Sequence, residues 1–288
     1  MIIVIFVLIF YNFHSCKKSR VIEVDCYLLT DLSKKKFISS ESHSKTDSEV
    51  DPRTLELYQF QVPLRKECLK HTPDVKNFYI LYNVLVPEVF CKDLIRIGKV
   101  SDGGKWVCNP VKVRDLEKCT IYSLGTSNDP SFEEQFQILT NNKCLLRSVD
   151  EYHQNEKTMK IIKNSNGVFK RAFITSKTDV SKDWYTFKDV LKEFGDGRID
   201  ILKIDIEGFE HMISDELVSV PICQILIEIH GDTPFKHLQL LKKFSVHGFY
   251  LFSYEINGAH HELSEYGLIN EKCFKDYGIR TIYGKYLS

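Results

Sequence analysis

The stretch that most constrains the fold is Asp200-Ile-Leu-Lys-Ile-Asp-Ile-Glu-Gly-Phe-Glu210. Apolar residues fill positions 199, 201, 202, 204 and 206, the near-continuous pattern of a strand covered on both faces, as in a parallel sheet under helices. Two acids, Asp205 and Glu207, stand where this strand ends; Gly208 and a helical run from Phe209 to Val218 follow. Ligands of open α/β sheets bind at the carboxyl ends of the strands, so the two acids are site candidates. The competing reading is that Asp205 or Glu207 only caps the following helix.

An alternation of strands and helices begins after Cys119. Strands are predicted at 120–124, 144–149, 168–174, 199–206, 222–229 and 249–254, with a last one at 280–283, and helices at 131–140, 156–163, 186–194, 209–218 and 234–246. Elements of this length in this order make βαβ units and a parallel, doubly wound sheet. Right-handed crossovers put the strand ends on one edge.

Ahead of that alternation, residues Met1 to Phe13 are almost wholly apolar and a basic cluster, Lys17, Lys18 and Arg20, follows. The run is shorter than the ~20 residues that span a bilayer and suits the core of a secretory signal peptide, with an uncleaved signal anchor as the alternative. The expected organisation is a signal or anchor over 1–16, a polar linker over 17–53, an accessory cap over 54–117 and the main domain over 118–288. In the cap, Pro63 is expected to end a helix that starts near Thr54. Lys and Arg balance Asp and Glu at 39 each, so no global field favours nucleic acid, and a membrane enters only through the terminal segment. Nine cysteines form no zinc-type spacing. In the oxidising secretory pathway some pair, with Cys108–Cys119 and then Cys68–Cys91 as first choices and Cys223 a small buried hydrophobe.

The strand at 120–124 runs into a turn with one glycine, Gly125, and the next ends in Asp150, placed to accept the hydroxyls of a ribose. The full G-x-G-x-x-G fingerprint is absent, which argues against an NAD-dependent oxidoreductase and leaves another nucleoside cofactor. Asp150 alone also reads as a surface turn acid.

The ordered set Arg96-Ile-Gly98, Asp102-Gly-Gly-Lys-Trp-Val-Cys108, Ile121-Tyr-Ser-Leu-Gly125, Ser131-Phe-Glu-Glu134, Ser148-Val-Asp150, Leu202 to Glu210 and Glu228-Ile-His-Gly231 resembles the methyltransferase-like protein 24 type. That branch is related to the FkbM sugar O-methyltransferases and so to class I S-adenosylmethionine-dependent methyltransferases. The resemblance spans about Leu81 to Tyr283. It implies a Rossmann-like, mostly parallel seven-stranded sheet with its last strand antiparallel, S-adenosyl-L-methionine as cofactor, and methylation, at oxygen, of an acceptor that the sequence does not name. Carried over by position, Ser123, Gly125 and their loop face the methionine part, Asp150 the ribose, Arg171 and Ala172 the adenine, and Asp205 the reaction centre. Asp102, Gly103 and Gly104 form either a turn folded over the cofactor or an ordinary hairpin turn. Trp106 stacks on substrate or fills the cap interface.

Transfer from a sulfonium needs alignment above all, and an alcohol acceptor also needs a base. Asp205, Glu228 and His230 stand at adjacent strand ends. His230 is favoured because its ordinary pKa of ~6.5 suits neutral pH, while a core or capping histidine is its bland alternative. Asp205, Glu207, Glu228 and His230 together also suit a divalent metal, although the spacing assigns none. A catalytically inactive, methyltransferase-shaped binding protein of the secretory pathway is the reading from a different class.

Overall fold

The computed structural model describes residues 50–72, 76, 78–100 and 102–288. The expected signal or anchor, nearly all of the linker, and Cys16 and Cys26 lie outside the described residues. Among the described residues no helix is long and apolar enough to cross a membrane.

Helix α1 (Pro52–Leu69) begins at Asp51, whose carboxylate accepts from the amides of Arg53 and Thr54. It runs through Pro63 instead of ending there. Pro63 is on the exposed face, where water can take the hydrogen bond that its ring removes. After α2 (Tyr79–Val84), β1 (Leu94–Ile97) and β2 (Lys105–Cys108) form an antiparallel hairpin.

The alternation follows: β3 (Thr120–Leu124), α3 (Ser131–Leu139), β4 (Leu145–Asp150), α4 (Glu156–Asn164) and β5 (Gly167–Arg171). Two short strands, β6 (Phe173–Ile174) and β7 (Trp184–Tyr185), pair with each other before α5 (Phe187–Phe194) and β8 (Ile199–Ile204). Then come α6 (Glu210–Ser219), β9 (Ile222–His230), α7 (Pro234–Val246), β10 (Phe249–Ile256), β11 (Leu263–Asn270) and α8 (Phe274–Tyr277).

The main sheet has seven strands in the order β10-β11-β9-β8-β3-β4-β5. Neighbours from β9 to β5 pair in parallel, and β11 is antiparallel to both β9 and β10. Every residue of β8 is buried, as is all of β9 before His230, which is why these two strands read as unbroken apolar runs. Because β3 has β4 on one side and β8 on the other, the strand order reverses between β3 and β8, and the crevice of a doubly wound sheet opens there.

Two expectations are corrected. The antiparallel strand is Leu263–Asn270, not 280–283, where Ile282 makes only an isolated bridge to Val89. The strand escapes an apolar-run reading because it carries Glu265 and Gly267, a glycine whose missing Cβ makes room for Phe252 and Ser253 of β10. The disulfides are Cys91–Cys108, Cys119–Cys144 and Cys223–Cys273. They replace the expected Cys108–Cys119 and Cys68–Cys91; Cys119 and Cys144 meet because they precede residues that pair in register, Thr120 and Leu145. Cys108 is turned back by the hairpin toward the approach to β1, and Cys223 is buried as expected but bonded.

Candidate active site

At the reversal point Gly125 leaves β3 with φ +82, a backbone conformation natural to glycine. A Cβ built on it would overlap the Asp205 carbonyl oxygen and stand 2.9 Å from that carbonyl carbon. The turn after β3 is therefore pressed on the end of β8, an approach only glycine permits. Asp150 holds the rest of this turn. Its Oδ2 accepts from the amides of Thr126 (2.9 Å) and Ser127 (2.8 Å), and its Oδ1 from Tyr152 (2.8 Å). An ionised carboxylate has about four lone-pair sites, so one remains for a ligand.

Gly125, Asp150, Ala172 and Asp205 line one cleft of about 590 Å³, open solvent at its mouth included. Sequence reasoning missed the aromatic side of this cleft, Tyr152, Phe173 and Phe209, the last two meeting edge to face at 4.6 Å. Alternation around β5 and the helix start after β8 signals them only once the strand ends are placed. The other expected residues stand elsewhere. Ser123 is fully buried below the turn and donates to Glu133, which also takes Lys203 at 3.2 Å. Arg171 turns to Asp183 and to His153 outside the cleft lining. Asp102, Gly103 and Gly104 belong to the β1–β2 hairpin; Gly103 lies against Asp129, and Asp102 lines a separate cleft with Arg96, Glu228, Glu255, Asn257 and Glu265. Trp106 donates to Glu255 at 2.7 Å.

The capping question is settled by Glu210. Helix α6 has no side-chain cap; instead the fully buried Glu210 carboxylate accepts from the amides of Ile206 (3.1 Å) and Gly208 (3.3 Å). Glu207 takes a left-handed φ of +55, Gly208 one of +99, and Asp205 and Glu207 are left facing the cleft. The same Glu210 oxygen lies 3.1 Å from His230 Nδ1, so that nitrogen carries the donated proton and Nε2 turns toward Glu207 (3.5 Å) and Asp205 (4.0 Å).

From the hairpin side, Lys105 enters with 2 % exposure, a residue that sequence reasoning did not single out. Its ammonium pairs with Glu265 and stands 3.9 Å from both Asp205 and Glu228. Burial opposes the Lys105 charge, but Glu265, Asp205 and Glu228 outweigh it and raise the pKa. One ammonium serves three carboxylates, so burial and the neighbouring acids push Glu228 up to about 8 and Glu265 upward as well. Burial disfavours the His230 cation too, yet the Glu210 hydrogen bond and the charges of Glu210, Glu228 and Asp205 raise its pKa to about 9. His230 thus holds its proton at neutral pH, which removes the reason for favouring it as the base. Asp205, Glu228 and His230 do come together, their ligand atoms within 4.8 Å of one another.

A doubly wound sheet with a cleft at its reversal point defines an α/β protein of the class whose ligands bind at the strand edge. Residues 39–270 match the methyltransferase-domain family Methyltransf_22, and the chain belongs to that family. A search of curated proteins returns no match. Among solved structures the chain is similar to the fibrillarin pre-rRNA processing protein of Methanococcus jannaschii, at 12% identity over 65% of this chain and 86% of that one, TM-score 0.37. It is similar also to Aeropyrum pernix fibrillarin, solved with natively bound S-adenosyl-L-methionine (9% identity, 64% and 86% covered, TM-score 0.36). A third such structure is the precorrin-6y C5,15-methyltransferase of Geobacter metallireducens GS-15 (12% identity, 57% and 86% covered, TM-score 0.35).

Proposed function

We propose that the chain is an S-adenosyl-L-methionine-dependent O-methyltransferase of the methyltransferase-like protein 24 type, acting in the secretory pathway. The observation that carries the reading is the adjacency of two features across Asp205: the cleft built on Gly125 and Asp150, and the cluster of Glu228, His230 and Lys105. The residues present fit the cofactor. Tyr152 and Phe173 offer aromatic faces for an adenine, the remaining Asp150 lone pair and the neighbouring Glu151 suit ribose hydroxyls, and Asp205 and Glu207 suit a sulfonium cation. When bound, the cofactor supplies an electrophilic methyl group.

The chain's own part is alignment and proton removal. An acceptor hydroxyl held beside Asp205 would give its proton to that carboxylate, with its oxygen aligned on the methyl group that the bound cofactor would supply. Lys105 and His230 keep the acids from repelling one another in the meantime. The three disulfides support the secretory assignment, with membrane contact, if any, through the terminal segment. Balanced charge supports an acceptor other than nucleic acid.

A second reading, a methyltransferase-shaped binding protein without turnover, draws on one observation: Asp150 spends three of its acceptor sites on its own backbone. Calorimetry of the purified chain with S-adenosylmethionine and S-adenosylhomocysteine separates the two, since binding of both is expected of the enzyme. A natively folded chain that binds neither overturns the enzyme reading. Mass spectrometry for an added methyl group across a panel of secretory extracts then seeks the acceptor.

A further inference from the structure

We propose that Asp205, Glu228 and His230 form a binding site for one divalent cation of the Mn²⁺ type. The three come from two adjacent strand ends, β8 and β9, and their ligand atoms lie within 4.8 Å of one another. Among the described residues neither the Asp205 nor the Glu228 carboxylate accepts a hydrogen bond from the protein, and His230 Nε2 makes none. Glu228 is only 5 % exposed and shares its cation, Lys105 at 3.9 Å, with Asp205 and Glu265. One ammonium among three acids leaves room in the cluster for further positive charge.

The surroundings are those of a metal centre. His230 is oriented through Nδ1 by the fully buried Glu210, the carboxylate–histidine arrangement that fixes which ring nitrogen a metal receives, and the arriving ion displaces the Nε2 proton to solvent. Glu210 is in turn fixed by the amides of Ile206 and Gly208, so the imidazole is held by backbone on a rigid loop. Charge points the same way. Asp205, Glu207, Glu210, Glu228 and Glu265 converge on Lys105 and His230, and the nearest partner of Lys105 is Glu265. Two carboxylates and one imidazole leave an octahedral hard cation about three positions for water or an acceptor oxygen. The ligand atoms need to close by up to about 2 Å, since cis ligands of such an ion sit about 3 Å apart. The site does not depend on the methyltransferase reading; where that reading holds, the cation is placed to take the acceptor oxygen.

The test is a Mn²⁺ titration of the purified full chain, with free Mn²⁺ followed by electron paramagnetic resonance and no cofactor added. One ion per chain is expected. Glu228→Gln and His230→Gln each weaken binding at least about tenfold, and Glu210→Gln, acting through the ring orientation, weakens it about tenfold. Asp102→Asn, at a residue that groups with Glu228 and Glu265 but not with His230, weakens binding far less than His230→Gln, and Asp276→Asn, whose native carboxylate pairs with Arg198, leaves the affinity unchanged. No Mn²⁺ bound up to millimolar concentration by wild-type protein with a native circular dichroism spectrum overturns the proposal. So does His230→Gln binding like wild type, or loss of binding in Asp102→Asn alone. Cofactor calorimetry on the same sample is a separate readout, so failure of the metal site and failure of the methyltransferase reading are distinguishable.

Discussion

Replacing Asp150 with asparagine changes little in shape and removes the charge on which the turn after β3 depends. The carboxylate is 7 % exposed and accepts three backbone amides, at 2.9, 2.8 and 2.8 Å. An asparagine side chain has one acceptor oxygen and one NH₂ group. Turned to serve Thr126 and Ser127, it keeps two bonds as neutral ones and sets its NH₂ against the Tyr152 amide. Hydrogen bonds to a charged group contribute about 1.5–3 kcal/mol each and neutral ones about 0.5–1.5, so one lost and two weakened come to about 3.5–6 kcal/mol. Urea unfolding reads this as a lower midpoint at unchanged slope, and Asp150→Ala, which loses all three bonds, falls lower still. Under the proposed function cofactor affinity drops in both, because the Gly125 turn is released together with the carboxylate proposed to meet the ribose. An Asp150→Asn chain within about 0.5 kcal/mol of wild type refutes the claim that the carboxylate holds the turn, since a change that small is what an uninvolved surface position gives. Wild-type stability with lost cofactor binding moves its contribution wholly to the ligand.

Gly125→Ala combines a left-handed φ with overlap at Asp205, whereas Gly195, φ +72, has nothing within 4 Å of a built Cβ. Gly195→Ala is therefore expected to cost about 1–2 kcal/mol, the left-handed penalty alone, and Gly125→Ala clearly more, in paired urea melts. His237 is fully buried against Phe78 and Tyr266, and burial lowers its pKa to about 4. Below pH ~6.5 the unfolded chain takes a proton that the native imidazole refuses until pH 4, so stability falls as pH falls through that window. Between pH 7 and 5 the loss is about 2 kcal/mol. The wild-type minus His237→Gln difference isolates it from His230, whose raised pKa works in the opposite sense, and an equal pH slope in the two chains refutes it.

What the sequence made legible is what burial on both faces dictates. Strands β8 and β9 are apolar from end to end, so their position, their direction and the acids at their ends follow from the chain alone. Strand β11 obeys a different rule: Glu265 turns to the acidic cluster and Gly267 makes room for Phe252 and Ser253, and these two residues interrupt the pattern that would have marked it. Disulfide partners were illegible for a related reason. Short loops suggest that near neighbours in sequence pair, but Cys119 and Cys144 meet because β3 and β4 are adjacent and parallel, a property of strand order rather than of spacing.

Charge state is a third kind of information, and it resides in no single segment. His230 was visible as a residue with a pKa suited to neutral pH; its partners, Glu210 on α6 and Glu228 two residues back on β9, convert it into a held cation. Lys105 reaches the same cluster from a hairpin about a hundred positions away, and no local pattern ties it to Asp205. The stretch from Asp205 to Glu210 then divides its acids by burial. Glu210, fully enclosed, spends one oxygen on two amides and an imidazole and so fixes the loop. That division of labour is what leaves Asp205 and the exposed Glu207 turned toward a ligand instead of serving as caps, and it rests on a left-handed φ at Glu207 that the chain adopts without a glycine.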